Sequence, residues 1–417
     1  MKALLFERSL PRFAASRIAS GLGSGRGARV APLRLVDTEA PDLPGEGWHR
    51  VSPILSGICG SDLATLDGRS SRYFEPLVSF PFVPGHEVIG SLEAPATAAD
   101  GASLDAGHRV VIQPVLGCAA RGIEPPCPSC SAGHSGDCEH VAFGHISPGI
   151  QTGFCSDTGG GWSTAGLVAH ESQLHAVPEN LSDDDAVTIE PVACALHSVL
   201  RAGLGEDQVV AVLGAGTLGL ATVAALTHLS SQGIVPLPRA VLVGARYANQ
   251  RTLADDLGAT TALAPDQLSR AVRRHSRSMT MGGASSTRLT GGADLVFDCV
   301  GSSDSIGQSL EMVRPRGTVV LVGMPGRVSV DLASLWHREV RLVGAYAYGN
   351  ETVLGQEQST FSLAIDAVAA MHTGRFVSAT YPLDRFEEAV AHAGAAGRRG
   401  AVKIAFDLQA TARGGHR

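Results

Sequence analysis

The pattern of apolar and polar positions changes once along the chain, close to Pro191. Before that point, short alternating runs such as 49–55 and 108–112 are separated by loops rich in proline and glycine. Alternation with a period of two is typical of antiparallel strands that bury one face. This half of the chain therefore predicts a barrel-like β domain with long loops.

After Pro191, short runs of valine and leucine alternate with helix-like stretches. Alternation of this kind predicts a parallel sheet with helices on both faces, so the fold class is α/β with a doubly wound second domain. The predicted strands are 209–213, 240–243, 294–299, 317–322 and 340–343. The Ser/Gly/Thr-rich insert 276–292 predicts a flexible excursion, and the tail 411–417 predicts disorder.

Composition narrows the choice of function. The chain has 417 residues, 44% hydrophobic and 18% charged, which suits a globular protein of two or three domains. Its formal net charge of -7 argues against nucleic acid as a partner. The uncharged stretch 208–238 is long enough to cross a membrane, but glycines interrupt it and its first residues indicate a buried strand. We expect no membrane association.

Cysteine usage and the N-terminus bear on the location of the protein. Eight cysteines are too few for a disulfide scaffold, and four of them lie between Cys118 and Cys138, a bunching that favours metal ligation. The apolar run near the start of the chain has only four residues before Glu7, which is too short for a signal peptide. We therefore expect a cytoplasmic protein.

One glycine-rich motif predicts a dinucleotide site. The segment 214–219 fits G-x-G-x-x-G, directly follows the predicted strand 209–213 and opens a helical stretch. Glycines there permit a tight turn and a close approach of the backbone to a pyrophosphate, which faces the helix N-terminus. The candidate cofactor-binding residues of the motif are Gly214, Gly216, Thr217, Leu218 and Gly219.

The end of the next predicted strand bears on the choice between the two nicotinamide cofactors. An NAD site usually has an acidic side chain there to accept from the ribose 2′-hydroxyl. This chain has Gly244 and Ala245, followed by Arg246. A guanidinium can bind a 2′-phosphate, so the sequence favours NADP(H) over NAD(H). Stacking of Arg246 on adenine, or simple exposure to water, is the alternative.

Three separate residues supply the ligands that a catalytic zinc ion needs. Cys59 offers a thiolate, His86 an imidazole and Glu190 a carboxylate, which meets the usual count of three protein ligands with one open position. Each residue alone has a simple structural interpretation, but the three occur together ahead of a dinucleotide motif. Glu87 is a candidate for an extra ligand or a nearby base.

The combined motifs resemble those of the zinc-dependent medium-chain dehydrogenase/reductase family, which includes alcohol, sorbitol and threonine dehydrogenases. The matching segments are GICGSD at 57–62, PGHE at 84–87, the cysteine cluster at 118–138, EPVACALHSV at 190–199 and GAGTLG at 214–219. The glutamate-proline form at 190–191 looks like the polyol and threonine dehydrogenase branch.

The resemblance implies an architecture and a reaction. It implies a GroES-like β-barrel catalytic domain at 1–190, completed by 347–417, and a Rossmann cofactor domain at 191–346. The implied reaction passes hydride between an alcohol or polyol and a nicotinamide cofactor while zinc polarises the substrate oxygen. Ser61 matches the hydroxyl that begins the proton relay. A homo-oligomer, dimer or tetramer, is also implied by the resemblance alone.

The chain departs from the family pattern in the route by which the proton leaves. Family members often carry a histidine five residues after the ligand cysteine, and this chain has Ala64 there. Asp62, His49 or water are the alternatives for carrying the proton outward.

The cysteine cluster resembles the structural zinc lobe of the family, here at about 117–140. Cys127, Cys130 and Cys138 match the last three ligands of that lobe. The family's first cysteine would fall at Glu124, and Cys118 is the preferred fourth ligand, with Glu124 or His140 as alternatives. A closed site of this kind fixes a loop rather than binding substrate.

The substrate pocket is less clear from the sequence. Aromatic candidates for its lining are Tyr73, Phe74, Trp162 and the segment 345–348, and no basic residue suggests a carboxylate clamp, which favours neutral substrates. Two other functions compete with the dehydrogenase. One is a zinc-free NADPH reductase of activated double bonds on the same scaffold, and the other is a non-catalytic dinucleotide-binding protein.

Overall fold

The computed structural model describes residues 1–21, 23–282 and 287–410, and the tail 411–417 lies outside the described residues. The chain divides into two compact units. The first contains Met1–Glu190, Tyr348–Asn350 and the described part of Ala364–Arg417. The second contains Pro191–Ala347 and Glu351–Leu363.

Short strands dominate the first 190 residues. In chain order they are β1 (Lys2–Phe6), β2 (Leu33–Asp37), β3 (Trp48–Gly57), β4 (Val88–Leu92), β5 (Ala96–Thr97), β6 (Ser103–Leu104), β7 (Arg109–Ile112), β8 (Leu167–His170) and β9 (Leu174–Ala176). The helices that begin in this region are α1 (Leu10–Ser20), α2 (Gly60–Leu66), α3 (Pro128–Ser131), α4 (Asp183–Ala186) and α5 (Ile189–Arg201). The long strand β3 contains the predicted run 49–55 and pairs antiparallel with both β4 and β8.

A parallel sheet forms the second unit, as the sequence predicted. Its region contains β10 (Val209–Leu213), β11 (Ala240–Gly244), β12 (Thr261–Leu263), β13 (Thr280–Gly282), β14 (Thr287–Leu289), β15 (Ala293–Asp298), β16 (Val313–Leu321) and β17 (Arg341–Gly344). The helices are α6 (Thr217–Ser231), α7 (Ala248–Asp256), α8 (Pro265–His275), α9 (Ser303–Met312) and α10 (Ala333–His337).

Strand order in this sheet is β12-β11-β10-β15-β16-β17, and every neighbouring pair is parallel. All five predicted strands are present within a few residues of their predicted bounds. Every residue of β10 and β11 is buried, which is why these strands appear in the sequence as continuous apolar runs. The chain proceeds outward from β10 to β12 and then returns to the other side of β10, a reversal that marks the ligand-binding edge of doubly wound sheets.

The insert 276–292 contains more order than its composition predicts. Strands β13 and β14 pair antiparallel, with Thr280 opposite Leu289, and Leu289 is buried. Residues 283–286, which separate the two strands, lie outside the described residues. Serine, glycine and threonine give no strong strand pattern, so the sequence did not indicate this pair.

The C-terminal elements are β18 (Asn350–Val353), β19 (Gln356–Ser359), α11 (Thr360–Met371), β20 (Val377–Tyr381), α12 (Phe386–Ala393) and β21 (Lys403–Asp407). Strand β21 pairs antiparallel with β3, with Ala405 opposite Gly57. It thereby completes a seven-stranded sheet in which β20, β21, β3, β4, β7 and β9 follow in order and β8 lies against β3. This pairing brings the C-terminal strand to the end of β3, where Cys59 follows.

The uncharged stretch 208–238 resolves into β10 and the 15-residue helix α6 rather than a single long helix. Across the described part of the chain, we find no helix that combines the length and the apolar character needed to cross a bilayer.

Candidate functional site

Three side chains that could bind a metal ion converge where β3 and β4 meet. Ser56 pairs with Val88, and the amide of Gly57 donates to the carbonyl of Glu87 at 2.9 Å. Cys59 follows β3 and caps the N-terminus of α2, while His86 and Glu87 directly precede β4. As a result, ligand atoms of Cys59, His86 and Glu87 all lie within 4.8 Å of one another.

Asp62 organises this group from the first turn of α2. One of its carboxylate oxygens accepts from the amide of Cys59 at 2.9 Å, and the other lies 3.5 Å from Nδ1 of His86. Asp62 and His86 are almost fully buried. Burial lowers the pKa of His86, but the charge of Asp62 and hydrogen bonds to Asp62 and Cys59 raise that pKa well above 6.5. Asp62, predicted as a catalytic residue that could carry the proton outward, thus contacts both Cys59 and His86.

This donor set fits zinc. A thiolate, an imidazole and a carboxylate are ordinary zinc ligands, and a protein histidine that binds zinc usually gives its second ring nitrogen to a carboxylate. The contact between Asp62 and Nδ1 of His86 supplies that arrangement and leaves Nε2 for a metal ion.

Lys403 is a member of the site that sequence analysis missed. It lies at the start of β21, is fully buried and forms an ion pair with Glu87, which is also buried. Burial lowers the pKa of Lys403, but the charges of Glu87, Cys59 and Glu190 raise it above 10.5. A Cβ atom at Gly57 would collide with the carboxylate of Glu87, so only glycine leaves room for this pair. Lys403 is one of only two lysines in the chain, a signal that could have drawn attention to it.

Glu190, the predicted third ligand, lies at the N-terminal end of α5 and is 6% exposed. In the described residues, the group of ligand atoms within 4.8 Å contains Glu87 and does not include Glu190. The negative charge of Glu190 nevertheless helps to raise the pKa of Lys403, the same lysine that pairs with Glu87.

Ser61 lies half-buried in the first turn of α2, between the candidate ligand Cys59 and Asp62. Its carbonyl accepts from the hydroxyl of Thr65 at 2.9 Å. Among the alternatives for carrying the proton outward, His49 lies at the start of β3. Its Nε2 atom is 3.3 Å from the carboxylate of Glu171.

The C-terminal end of α2 is anchored by the N-terminal segment of the chain, which the sequence did not indicate. Asp67 is fully buried, and it accepts from the hydroxyl of Ser24 at 2.8 Å and from the amide of Gly25 at 3.1 Å. Ser16 on α1 donates to the carbonyl of Leu66. The short helix that carries Ser61 and Asp62 is therefore held at both ends.

The four cysteines of the predicted lobe form a second group, with all their sulfur atoms within 4.8 Å of one another: Cys118, Cys127, Cys130 and Cys138. Of the two alternative ligands, Glu124 is exposed, and Nδ1 of His140 lies 3.5 Å from the sulfur of Cys118.

Backbone amides point at the sulfurs of this group. The amide of Cys127 donates to Cys118 at 3.3 Å, and the amide of Cys130 donates to Cys127 at 3.5 Å. Burial raises the pKa of Cys127, but amide donors from Cys130 and Glu139 lower it to about 7. Burial raises the pKa of Cys138 to about 11. The group fits a closed structural zinc site, because four sulfurs leave no open position.

In the second unit, the glycine motif occupies the turn between β10 and α6. Gly214 has a φ of +89°, and Gly216 is the N-cap of α6. A Cβ atom at Gly219 would collide with the carbonyl oxygen of Gly214. Thr217 and Leu218 are half-buried in the first turn of the helix. The turn therefore needs its glycines for steric reasons, which fits backbone approach to a pyrophosphate.

Arg246 is exposed just beyond the end of β11. A second arginine, Arg251 on α7, donates from Nη1 to the carbonyls of Ala245 and Arg246, each at 3.1 Å. Arg251 therefore holds the loop that presents Arg246, a role with no signal in the sequence.

The aromatic residues proposed for the pocket differ in exposure. Trp162 is fully buried, packs edge-on against Phe406 at 5.2 Å and donates to the carbonyl of Gly57 at 3.4 Å. It is a core residue of the first unit. Tyr73 is 72% exposed.

Two family models match the chain. The "alcohol dehydrogenase GroES-like domain" matches residues 45–179, and the "zinc-binding dehydrogenase" model matches residues 240–370. An L-idonate 5-dehydrogenase from Vitis vinifera is 31% identical, over 88% of this chain and 90% of that protein. A sorbitol dehydrogenase from Arabidopsis thaliana is also 31% identical, with the same coverage. The chain belongs to the zinc-dependent medium-chain dehydrogenase/reductase family.

Solved structures agree with this assignment at the level of fold. The alcohol dehydrogenase TADH from Thermus sp. ATN1 is 24% identical, with a TM-score of 0.68 over 98% of this chain and 100% of that one. A zinc-binding dehydrogenase from Sinorhizobium meliloti, solved with NADP bound, is 24% identical with a TM-score of 0.63 over 90% of this chain and 95% of that one. The predicted combination of GroES-like and Rossmann domains is confirmed. This medium-chain dehydrogenase is an oxidoreductase that uses a nicotinamide cofactor.

The buried ion pair of this dehydrogenase gives a testable prediction. In Lys403→Met, the carboxylate of Glu87 stays buried without its ammonium partner, and the free energy of unfolding should fall by about 3–5 kcal/mol. Urea unfolding followed by tryptophan fluorescence, to which the buried Trp162 contributes, measures the loss. Lys2→Met is the matched control, since Lys2 is exposed, and it should change stability by less than about 0.5 kcal/mol.

The double variant Lys403→Met with Glu87→Gln should recover part of the lost stability, because it removes both charges of the buried pair. Equal unfolding of Lys403→Met and Lys2→Met would show that the pair contributes nothing.

Proposed function

We propose that this dehydrogenase oxidises a neutral alcohol or polyol, or reduces the matching ketone or aldehyde, at the site formed by Cys59, His86 and the neighbouring carboxylates. The convergence of a thiol, an imidazole and a carboxylate within 4.8 Å carries the proposal. The similarity to proteins named as L-idonate 5-dehydrogenase and sorbitol dehydrogenase favours a polyol. The domains proposed are a catalytic domain of residues 1–190, completed by 347–417, and a cofactor domain of residues 191–346.

The proposed zinc ligands are Cys59, His86 and one glutamate. The negative charges of Glu87 and Glu190 both raise the pKa of Lys403, and Lys403 forms an ion pair with Glu87. Because Glu87 is already paired with Lys403, this pairing supports Glu190, the ligand expected from the sequence, as the third zinc ligand. Glu87 would then be a second carboxylate beside the ion. In the cysteine lobe, the proposed ligands are Cys118, Cys127, Cys130 and Cys138. When bound, zinc at the first site supplies Lewis acidity that lowers the pKa of a substrate hydroxyl.

The protein's own residues then have distinct tasks. Ser61, two residues after Cys59 on α2, would relay the proton that the substrate hydroxyl loses: its Oγ accepts that proton as its own hydroxyl proton passes to the next carrier. Asp62 keeps His86 in one orientation through Nδ1. Because Asp62 is buried and His49 contacts Glu171, we propose water as the carrier that takes the proton from Ser61 to the solvent.

Replacing Cys59 tests the metal and the reaction together. Cys59→Ala should lose one of two zinc ions per chain and nearly all turnover, because the thiolate ligand is gone. Cys127→Ser is the comparison and should lose the other ion. Zinc analysis and initial rates against a panel of alcohols, polyols, ketones and activated alkenes, each with NAD(H) and NADP(H), give the answer.

A metal-free wild-type enzyme that reduces activated alkenes would overturn the proposal in favour of the zinc-free reductase. Tight NADPH binding without turnover of any compound would indicate a non-catalytic protein. Glu190→Gln and Glu87→Gln separate the two carboxylates, since only the loss of the true ligand should release the ion.

NADP(H) is the proposed cofactor. The support comes from the exposed guanidinium of Arg246 beyond β11 and from the absence of a carboxylate at positions 244 and 245. When bound, NADP(H) would supply or accept the hydride, and Arg246, on the loop that Arg251 holds, would bind the 2′-phosphate.

Arg246→Ala should raise the KM for NADPH by about 10- to 100-fold, the usual value of a charge-assisted hydrogen bond, and leave the KM for NADH nearly unchanged. Steady-state kinetics with both cofactors measures the ratio. Arg274→Ala, which removes an exposed arginine from α8, is the control. An equal change for the two cofactors would mean that Arg246 does not read the phosphate.

A homo-oligomer that associates through the second unit is also proposed. Strand β17 is an edge of the parallel sheet, and Leu342 on that strand is 40% exposed. Trp336 and Leu332, just before it in the chain, are 81% and 55% exposed. Exposed edge strands and large apolar side chains are common features of interfaces.

Trp336→Asp should shift the protein towards the monomer in light scattering after size-exclusion chromatography. Leu237→Asp, at a residue that is 76% exposed in the same unit, should leave the mass unchanged. A wild-type monomer at all concentrations would refute the interface. The proposed location is the cytoplasm, because clustered cysteines that bind zinc and form no disulfide are typical of a reducing compartment.

A further inference from the structure

Asp298 is a fully buried carboxylate at the C-terminal end of β15. Its Oδ1 atom accepts from the amide of Val300 at 2.9 Å and from the amide of Gly301 at 3.0 Å. Its Oδ2 atom accepts from the hydroxyl of Ser305 at 2.9 Å, and Oγ of Ser305 in turn accepts from the amide of Ser302 at 2.9 Å. One side chain therefore holds three consecutive amides of the loop between β15 and α9.

This loop lies against the glycine turn. Strand β15 is the neighbour of β10 on the side where the order of the strands reverses. A Cβ atom at Gly214 would come within 2.7 Å of Cγ2 of Val300, and one at Gly219 would lie 3.6 Å from Cβ of Cys299. Ligands of doubly wound sheets bind at the carboxyl ends of the strands, in the crevice at such a reversal. The loop after β15 therefore forms one wall of that crevice, and the glycine turn forms the other.

Val300 is the side chain that this loop presents outward. It is 49% exposed, although the next residue, Gly301, is buried. Gly301 has a φ of +73°, and a Cβ atom there would collide with the carbonyl oxygen of Gly323. The backbone of the loop is thus packed closely on its inner side. An apolar side chain left exposed in the wall of a crevice offers contact area to a ligand that binds there.

We propose that Asp298 is a positioning residue for the nicotinamide cofactor, because its carboxylate fixes the loop 299–302 so that Val300 lies beside Gly214 in the arrangement that the cofactor binds. This inference rests on the glycine turn as the cofactor site. Asp298 itself is buried and its oxygens are engaged within the loop, so it acts through the loop and not by touching the cofactor. A loop that is ordered before binding raises affinity, because the cost of ordering it is not charged to the complex.

Direct titration of the full chain with NADPH and with NADH tests this role. Asp298→Ala releases the loop, and both dissociation constants should rise by about 10- to 100-fold. That is the loss of affinity for a loop that holds the binding arrangement for only about a tenth to a hundredth of the time. The fluorescence of the bound dihydronicotinamide measures binding without turnover. The two factors should be equal, because the loop does not distinguish the cofactors, whereas Arg246→Ala should affect NADPH alone.

Two variants separate positioning from general damage. Asp298→Asn keeps the Oδ1 acceptor for both amides and should bind the cofactors much more tightly than Asp298→Ala. Asp294→Ala is the matched control at the other end of the same strand, where the carboxylate accepts from the amide of Val209 at 2.8 Å and from Nε of Arg314 at 2.6 Å. It should lower stability to urea and leave both dissociation constants unchanged, since it lies at the edge of the sheet opposite the glycine turn.

A milder variant keeps the test decisive if Asp298→Ala does not fold. Ser305→Ala removes only the link from Asp298 to the amide of Ser302, and it should raise both dissociation constants by about 2- to 10-fold, the value of one hydrogen bond. Ser309→Ala is its control, because Ser309 is a buried serine on the same helix that donates to the carbonyl of Ser305 at 2.8 Å. That control should bind both cofactors like the wild type.

Unchanged dissociation constants in Asp298→Ala, or in Ser305→Ala where it takes that place, would overturn the inference. So would an Asp294→Ala variant that is weakened to the same extent, or an Asp298→Asn variant as weak as Asp298→Ala. Gly219→Ala tests the site itself, because its Cβ atom would collide with the carbonyl oxygen of Gly214 and should disrupt cofactor binding. Normal binding by Gly219→Ala would overturn the glycine turn as the site, and the role of Asp298 with it. Loss of binding in Gly219→Ala but not in Asp298→Ala would overturn the role of Asp298 alone.

Discussion

The register between β3 and β4 is the constraint on which the catalytic proposal depends. Pairing of Ser56 with Val88 brings the end of one strand beside the start of the other, and this places Cys59 next to His86 and Glu87. A shift of one residue would turn these side chains to opposite faces of the sheet. The apolar residues Val51, Val88 and Leu92, all buried in one core cluster, fix that register. Hydrophobic packing far from the reacting atoms thereby sets the geometry of the ligands.

Around this constraint, several buried charges of the first unit each have a specific partner. Lys403 neutralises Glu87, Asp62 supports His86, and Asp67 is satisfied by Ser24 and Gly25. Burying a charge costs several kcal/mol unless opposite charges or hydrogen-bond donors compensate it. The charged groups therefore limit one another's movement.

Much of the fold and part of the site could be predicted from the sequence, because their signals are local. Strand β10 and the glycine motif adjoin each other in the chain, and continuous burial gives the strand an apolar run. By contrast, the weakly apolar strand β12 and the β13–β14 pair had no such run and were not predicted. The contacts of Lys403 with Glu87 and of Asp67 with Ser24 join residues that are far apart in the chain. No local pattern of residue types encodes such a contact.

The sequence by itself determined the residue types available for chemistry: the thiols, imidazole and carboxylates for a metal, the glycines for a dinucleotide and the arginine beyond β11. These candidate residues are recognised by their chemical identity and by short spacings along the chain, and both can be read directly from a sequence. Only the tertiary structure decided that Glu87 lies within 4.8 Å of Cys59 and His86, that Cys118 joins the other three cysteines, and that Trp162 belongs to the core. These outcomes depend on strand pairing and on the compensation of buried charge, which are properties of the folded chain as a whole.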